Sequence, residues 1–539
     1  MKIEANLIDI RNKTIYPACI TVADGKILAI EKTETTPSVF MLPGFVDAHV
    51  HIESSRLVPT EFAKIAVIHG SVATVSDPHE IANVLGKKGV YYMIENGNKS
   101  PFKFNFGAPS CVPATIFETA GAEITAQDLD ELLALDAVKY LAEMMNYPGV
   151  IFDDPSVSEK LEIAKKHGKP IDGHAPGLMG ETALKYISKG ISTDHECYML
   201  EEARHKLANG MKVIIREGSA AKNFETLEPL IEEWADKMMF CSDDKHPDDL
   251  LVGHINLLVK RALAKGNDLF KVLKMACVNP VEHYKLDVGT LRVGDKADFI
   301  VIDNPLDFNI LQTFIDGKLV AANGKSFIET TPETIVNNFN IGLKKPSDFK
   351  IELKKENINV IEVLDGQLIT KKFVGKISLQ NGQATPSVKD DILKICVVNR
   401  YSDAPVATAF IKNFGLKKGA IASSVAHDSH NIIVVGVDDK SICQAVNGLV
   451  KNKGGLSASD GKKVEVLPLP VAGLMSNESA EIVAEKYTKL VHIARNLGST
   501  LTSPYMSLSF MALLVIPSLK LSDKGLFDGE KFEFCPLEI

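Results

Sequence analysis

Short apolar or β-branched runs alternate with segments of helical periodicity between Val46 and Asp244. In the intervening stretches, such as residues 61–68, 81–94 and 158–167, apolar residues recur every three or four positions. There are eight runs, which span residues 45–51, 71–78, 103–111, 137–144, 169–175, 191–196, 212–218 and 238–244. Eight strands that alternate with helices predict an α/β fold with a (β/α)8 barrel of the TIM type.

The segments on either side of this pattern predict two further domains. Residues 1–41 and 286–330 are both rich in short strands and turns, and we expect them to pair into one small composite β-sandwich around a barrel of residues 42–285. A break rich in Pro, Thr and Lys follows at 330–347. Residues 345–539 mix strands with helices, and are long enough to form a C-terminal α/β domain with its own core.

Composition and charge exclude several classes of protein. With 45% hydrophobic and 24% charged residues, the chain is typical of a globular protein, and its net charge of −9 disfavours a nucleic-acid partner. The longest apolar stretch, residues 506–516, is too short to cross a membrane. The eight cysteines include no C-x-x-C pair, and the N-terminus lacks the apolar core of a signal peptide, so a reducing cytoplasm is expected.

Chemically capable residues end six of the eight runs. In a (β/α)8 barrel the carboxyl ends of the strands form the active-site mouth. His49 and His51 would point to the same side of the first strand, where two imidazoles can hold one ion. Each residue also has an ordinary explanation, such as a buried histidine or a helix cap. For the four histidines, Glu143 and Asp243 together, six such explanations are improbable. The residues are His49 and His51, Asp77, Glu143, His174, His195 and Asp243.

Mixed imidazole and carboxylate groups indicate a metal centre. Such ligands suit Zn²⁺, Mn²⁺ or Fe²⁺, and the absence of cysteine among them argues against a structural zinc site. Six ligands exceed the needs of one catalytic ion, so two ions bridged by a carboxylate are expected. The predicted ligands are His49, His51, Glu143, His174, His195 and Asp243.

Several motifs resemble those of a known family. LPGFVDAHVHIESS, AEMM, DGHAPGL, STDHECY and FCSDDKHP are similar to motifs of the amidohydrolase superfamily, most closely to the bacterial-type adenine deaminases. The segments IASSVAHDSHNIIVVG and YMSLSFMALLVIPSLKLSDKGL extend the resemblance to almost the whole chain. Glu143 stands where many members carry a carboxylated lysine, which speaks against a dihydroorotase or hydantoinase.

The resemblance implies an activity, cofactors and partners. It implies metal-dependent hydrolysis of adenine, a small-molecule purine base, to hypoxanthine and ammonia in purine salvage. It also implies two Mn²⁺ or Fe²⁺ ions, with Zn²⁺ as an alternative, and a homodimer. The base-editing type of zinc deaminase is excluded because H-x-E…P-C-x-x-C is absent.

Roles for individual residues follow from this interpretation. Asp243 is the expected catalytic proton shuttle, because it can touch a metal ion and accept a proton from water. Residues that follow the strand ends could bind the purine, although each could equally be a helix cap or an ion-pair partner. They are Glu53, Ser54, Ser55, His79, Arg216, Glu217 and Asp244. The histidines and carboxylate of AHDSH, namely His427, Asp428 and His430, could lie over the mouth, contact a metal or belong to an ordinary loop.

Two alternatives remain at this point. The same scaffold could hydrolyse another cyclic amide or amidine, or another nucleobase, because ligand sets are shared across such reactions. A non-catalytic binding protein on a decayed barrel is the second alternative. It is disfavoured because all six predicted ligands are present.

Overall fold

The computed structural model of the chain describes residues 1–330 and 334–539. The chain forms two compact units. The first comprises Met1–His79, Val90–Ser110 and Thr125–Glu333, and the second comprises Glu80–Gly89, Cys111–Ile124 and Thr334–Ile539. Two short segments within the barrel region of the sequence therefore belong to the same unit as the C-terminal part of the chain.

The first unit begins with four strands, β1 to β4, at Lys2–Asp9, Thr14–Ala23, Lys26–Lys32 and Phe40–Pro43. β1 pairs with β2 and β2 with β3, both antiparallel. The turn between β2 and β3 contains Asp24 and Gly25, with φ values of 50° and 74°. Two positive φ angles at an Asp-Gly pair are typical of the tight hairpin turns that match the twist of the flanking strands.

The next eight strands form the barrel, so the predicted fold is confirmed. β5 to β12 span Phe45–Val50, Ser71–Ser76, Lys103–Ala108, Val138–Met144, Ile171–Gly173, Thr193–Asp194, Lys212–Arg216 and Met238–Cys241. β5 to β9 are parallel neighbours in chain order, as are β10 to β12. Parallel bridges between Ile171 and Ile191 and between Val50 and Asp243 close the ring. Each of the eight predicted runs contains one of these strands.

Helices connect the barrel strands and follow the last of them. α1 to α14 span Pro59–Ile68, His79–Leu85, Lys87–Gly97, Ala126–Leu133, Tyr147–Ile151, Pro155–Lys166, Gly180–Ser188, Leu200–Ala208, Phe224–Leu227, Ile231–Trp234, Pro247–Val252, Ile255–Ala264, Leu269–Leu273 and Asn279–Tyr284. One core cluster packs apolar residues of β11 and β12, such as Val213, Ile215 and Phe240, against Val259 and Leu273 of the helices. Because helices cover the strands on the outside, β5, β6 and β12 are buried along their whole length.

Strands from both sides of the barrel in sequence share one sheet. β13 to β16 span Phe299–Ile302, Ile310–Ile315, Lys318–Ala322 and Lys325–Ser326. The sheet has eight strands in the order β16-β15-β14-β13-β4-β1-β2-β3, and its two halves join where β13 runs antiparallel to β4. Leu7, Ile20, Met41 and Phe299 are buried together in its core. The pairing of the two flanking segments thus follows from apolar faces that neither segment could bury alone.

The second unit is built on another eight-stranded sheet. β17 to β29 span Asn357–Val363, Thr370–Lys376, Ser378–Gln380, Gln383–Thr385, Ile392–Val398, Ala407–Lys412, Ala420–Ser423, Ile432–Gly436, Gly455–Ser459, Val464–Pro468, Leu519–Ser522, Gly525–Asp528 and Glu533–Phe534. The strand order is β18-β17-β22-β21-β24-β23-β25-β26. α15, α16 and α17 span Asp439–Asn452, Ala480–Leu497 and Pro504–Phe510. Ile442, Val446 and Leu449 of α15 pack with Val434 of the sheet.

In the part of the chain that the structure describes, no helix combines the length and the apolar character that a membrane crossing needs.

Candidate metal centre

The first barrel strand carries two histidines into the mouth of the barrel. His49 and His51 are 0% and 4% exposed, and their Nε2 atoms lie 3.2 Å apart. Asp47, in the same strand, accepts hydrogen bonds from the backbone N–H of Ser242 at 3.0 Å and lies 2.7 Å from Nε2 of His254. Asp47 therefore connects the first barrel strand to the end of the eighth. The imidazole that its carboxylate contacts is that of His254.

Glu143 lies between two groups of histidines. Its Oε2 is 2.7 Å from Nδ1 of His174 and 3.2 Å from Nε2 of His195. Its Oε1 is 3.4 Å from Nε2 of His51 and 3.5 Å from Nδ1 of His79. Each oxygen of this buried carboxylate thus faces a different pair of imidazoles, so each lies beside its own set of nitrogen donors.

Asp243, at the end of the eighth strand, completes the set of predicted ligands. Its Oδ1 lies 3.2 Å from Nε2 of His51 and 3.7 Å from Nε2 of His49. The residue has a φ of 50°, a left-handed conformation that few non-glycine residues adopt. From this position its carboxylate faces the two histidines of β5.

The donor atoms of these residues fit divalent cations. Three sets, His49–His195–Asp243, Glu143–His174–His195 and His51–Asp77–His79–Glu143, each place their donor atoms within 4.8 Å of one another. Nδ1 of His49 and Nε2 of His174 are buried and have no hydrogen-bond partner among the described residues. Buried nitrogens without partners beside carboxylates and further imidazoles are the chemistry of a cation site.

Charge perturbs the ionisation of the cluster. Burial alone would raise the pKa of Glu143, but the charges of His174 and His195 and hydrogen bonds from both hold that pKa well below its usual range. Burial lowers the pKa of His49 well below its usual value, with the neighbouring His195 adding to the effect. Glu143 as an ionised carboxylate and His49 as a neutral imidazole are in the forms that bind metal ions. Without a cation, and although burial opposes it, the neighbouring carboxylates raise the pKa of His51, His174 and His195, so metal binding would release protons from these imidazoles.

Two members of the cluster lie outside the predicted ligand set. Asp77 was predicted only as a strand-end residue, and His79 only as a candidate for purine binding. Nδ1 of His79 lies 3.3 Å from Oδ1 of Asp77, and both residues are buried. The available signal was their position in SDPHE, directly after the second strand and at the same end of the barrel as the six predicted ligands.

A buried ion-pair group adjoins the cluster. Nη1 of Arg216 is 2.8 Å from Oδ2 of Asp243, and the same guanidinium donates to both carboxylate oxygens of Glu196. Although burial opposes it, the charges of Glu196 and Asp243 raise the pKa of Arg216 above its usual value. Glu196 did not appear among the predicted site residues, because its neighbour His195 accounted for the STDHE motif by itself.

The other residues predicted to bind purine have different surroundings. Glu53, Ser54 and Ser55 form a buried 3₁₀ turn after β5, in which Ser54 donates to Asp244. Ser55 donates to the carbonyl of Ile52 at 2.6 Å, which is a local turn contact. Glu217 accepts from Nη1 of Arg261 at 2.7 Å. The structure therefore brings Ser54 and Asp244 together, whereas Ser55 makes a local turn contact and Glu217 pairs with Arg261.

The AHDSH motif lies in the second unit, where its two histidines flank one carboxylate of that unit. Nδ1 of His427 is 2.5 Å from Oε1 of Glu80, and Nε2 of His430 contacts Oε2 of the same residue. Burial lowers the pKa of His430 to about 4, although Glu80 acts in the opposite direction. Asp428 is also buried, and it contributes to raising the pKa of Glu118 to about 8, a shift that is caused mainly by burial.

Comparisons with known proteins cover nearly the whole chain. A family model described as "Amidohydrolase family" matches residues 40–320, and one described as "Adenine deaminase C-terminal domain" matches residues 367–533. A curated adenine deaminase of Borreliella burgdorferi (strain ATCC 35210) is 53% identical over 541 residues, which is 99% of each chain. A second, from Sulfurovum sp. (strain NBC37-1), is 54% identical over 535 residues, again 99% of each chain. Among solved structures, β-aspartyl dipeptidase from Fervidobacterium islandicum AW-1 matches with a TM-score of 0.46 and 14% identity, over 60% of this chain and 96% of that one.

Proposed function

The chain belongs to the adenine deaminase family of amidohydrolases, and from this premise we propose that it hydrolyses adenine to hypoxanthine and ammonia. Identity above 50% over the full length of curated adenine deaminases supports this substrate. The single observation that carries the proposal is the position of Glu143, whose two oxygens face different pairs of histidines at 2.7–3.5 Å.

The proposed cofactor is a pair of divalent cations, Mn²⁺ or Fe²⁺, with Zn²⁺ as an alternative. Glu143 would bridge the pair, and the five remaining ligands would be His49, His51, His174, His195 and Asp243. Bound cations of this kind supply Lewis-acid activation of water and stabilise charge that develops in the transition state. The mixture of imidazole and carboxylate donors without thiolate suits all three ions, and the preference for Mn²⁺ or Fe²⁺ is what the resemblance to adenine deaminases implies.

Asp243 is the proposed catalytic proton carrier. Its carboxylate accepts the proton of the water that attacks C6 of adenine and then gives a proton to the exocyclic amine, which leaves as ammonia. The short contacts with His51 and Arg216 fix the carboxylate, and although burial would raise its pKa, the Arg216 charge holds that pKa well below the usual range. The low pKa keeps this carboxylate ionised and also makes it a weak base, so Asp243 can accept a proton only from a water that is itself acidified.

Purine recognition is proposed at the loops that follow the strand ends. Ser54 and Asp244 form one hydrogen-bonded pair beside Asp243, and hydroxyl and carboxylate groups can read the ring nitrogens of a purine. Glu53 and His79 are further candidates, since both are buried near the same strand ends. The contacts of Ser55, Arg216 and Glu217 favour supporting roles for these three residues.

The remaining proposals concern organisation. We propose that residues 1–41 and 286–330 form the composite β-domain, residues 42–285 the catalytic barrel and residues 345–539 the C-terminal domain, and that the chain acts as a homodimer. All eight cysteines are free thiols, and seven are buried, which supports a reducing compartment such as the cytoplasm. Light scattering coupled to size-exclusion chromatography tests the dimer directly.

A steady-state assay tests the function. Protein reconstituted with Mn²⁺ or, anaerobically, with Fe²⁺ is offered adenine, adenosine, cytosine and guanine, while ammonia release and the ultraviolet change are followed. Turnover of adenine alone is expected. Two bound ions per chain without turnover of adenine would contradict the proposed substrate and direct attention to another cyclic amidine or amide.

Glu143→Gln and Glu217→Gln form a matched pair for this assay. The first removes the charge that faces all four imidazoles, and should abolish both turnover and full metal loading. The second removes a charge that pairs with Arg261 outside the cluster, and should leave metal loading intact.

A further inference from the structure

One helix of the barrel carries a buried pair of opposite charges that contacts the segments bearing His174 and His195. Glu202 and Lys206 lie one turn apart on α8, with exposures of 0% and 1%. Nζ of Lys206 donates to Oε1 of Glu202 at 2.7 Å. Neither residue carries a role in the reaction proposed above.

Lys206 holds the two segments that present His174 and His195. Its Nζ donates to the carbonyl oxygen of Ala175 at 2.7 Å, and it also donates to the carboxylate of Asp194. Ala175 directly follows His174 in the chain, and Asp194 directly precedes His195. One ammonium group therefore joins the ends of the fifth and sixth barrel strands next to both histidines.

Glu202 holds the same two segments a few residues further along. Its Oε1 accepts from the backbone N–H of Gly177 at 2.8 Å, and its Oε2 accepts from the backbone N–H of Tyr198 at 3.3 Å. Asp194 orders the segment of His195 itself, because its Oδ1 accepts from the backbone N–H of Glu196 at 2.9 Å. Lys206 and Glu202 thus make two contacts each with these segments, and the four contacts fix where each histidine-bearing loop leaves its strand.

The targets of this ion pair distinguish it from a device for stability alone. A buried ion pair adds little net stability compared with apolar residues of the same volume, because both charges lose their hydration. Here the contacts converge on loops whose histidines both face Oε2 of Glu143, at 2.7 Å and 3.2 Å.

We infer that Glu202 and Lys206 are positioning residues that orient His174 and His195 toward one cation and thereby set the affinity of the cluster for it. The inference rests on the proposed function only in taking these histidines as metal ligands. It predicts a loss of metal affinity rather than a loss of substrate binding. Groups that orient metal ligands typically change affinity by about 10- to 100-fold when they are removed.

Lys206→Met tests the inference, with Lys394→Met as its matched control. Lys394 is a lysine of the second unit that is 2% exposed, donates to the carbonyl of Phe349 at 2.8 Å and pairs with Asp439. Both changes remove a buried, ion-paired ammonium, so both should lower the melting temperature. The readout is the chelator concentration that removes half of the bound Mn²⁺, with the bound metal measured by elemental analysis after dialysis. Lys206→Met should lower this concentration by at least about tenfold, and Lys394→Met should leave it unchanged.

Kinetics give a second readout. For Lys206→Met, excess Mn²⁺ should restore much of kcat, and the KM for adenine should stay near that of the wild type. Equal chelator midpoints for Lys206→Met, Lys394→Met and the wild type would overturn the inference. If Lys206→Met does not fold, Glu202→Gln serves instead, because it keeps an acceptor for Gly177 while removing the charge. Metal retention is measured without adenine, so failure of the proposed substrate cannot be mistaken for failure of this inference.

Discussion

The guanidinium of Arg216 lies 2.8 Å from Oδ2 of Asp243 while also binding the carboxylate of Glu196. All three side chains are buried, each at no more than 7% exposure. The arrangement joins the end of the seventh strand to that of the eighth and to the loop after the sixth. It leaves Arg216 engaged with protein carboxylates instead of presenting its charge to a purine.

The position of Arg216 predicts a specific kinetic effect. Arg216→Met should lower kcat by about 100-fold, because Asp243 would lose the contact that fixes its carboxylate. The KM for adenine should change little. Arg261→Met is the control, since Arg261 is more exposed and pairs with Glu217 and Glu225. A large rise in KM with kcat preserved would instead indicate that Arg216 contacts the substrate.

Asp243 can be tested as a proton carrier independently of metal binding. Asp243→Asn should reduce kcat by about 10²- to 10⁴-fold, because an amide cannot accept the proton of the attacking water. Most of the bound metal should remain, since five other predicted ligands are intact. Elemental analysis and steady-state kinetics on the same sample separate the two effects. Activity within a few-fold of the wild type would rule out this role for Asp243.

The sequence predicts the barrel and the convergence of six candidate ligands because both depend on local patterns. Alternation of apolar runs with helical segments specifies eight parallel strands, and parallel strands bring their carboxyl ends together. His49 and His51 share one side of a strand for the same reason. These inferences need only the spacing of apolar residues along the chain and the handedness of the connections between parallel strands.

Contacts between distant segments could not be predicted in this way. Glu196 is recognisable as a partner only when Arg216, twenty residues later, is seen to turn toward it. Similarly, Lys206 reaches Ala175 across 31 residues, and a lysine on an amphipathic helix is normally exposed. The grouping of residues 80–89 and 111–124 with the C-terminal unit has no local signal in composition or periodicity.

Lys520 should make the second unit more stable as the pH rises. It is completely buried, donates to the carbonyls of Leu368 at 2.6 Å and Phe510 at 2.8 Å, and burial lowers its pKa to about 7. Between pH 7 and the unfolded pKa of about 10.4, the unfolded chain binds the extra proton, so the free energy of unfolding increases with pH. The increase is about 1.4 kcal/mol per pH unit.

Lys520→Met should remove this dependence. Thermal or urea denaturation at pH 7.5 and 9.5 should show a gain of roughly 3 kcal/mol for the wild type that the variant lacks. Lys372→Met, a change at a more exposed lysine, should keep the wild-type dependence. Parallel pH profiles for the wild type and Lys520→Met would show that Lys520 stays charged in the folded chain.

His283 should lower the stability of the first unit at acid pH. Burial, helped by the charge of Lys212, lowers the pKa of His283 to about 3, and its Nε2 lies 3.3 Å from the hydroxyl of Ser192. The pKa of His283 in the unfolded chain is about 6.5, so below this pH the unfolded chain binds a proton that the folded chain does not bind. The contribution of His283 to the free energy of unfolding is therefore fully present above pH 6.5 and is lost as the pH falls toward 3.

His283→Gln should flatten this acid-side loss. Allowing for the partial exposure of the side chain, the wild type should lose about 1 kcal/mol per pH unit more than the variant between pH 6.5 and 5. The difference between the two proteins isolates His283, because all other titrating groups are common to both. His205→Gln is a suitable control on another helix of the same unit. If the wild type and His283→Gln lose stability equally between pH 6.5 and 5, His283 takes up its proton in the folded chain, and burial does not exclude the charge.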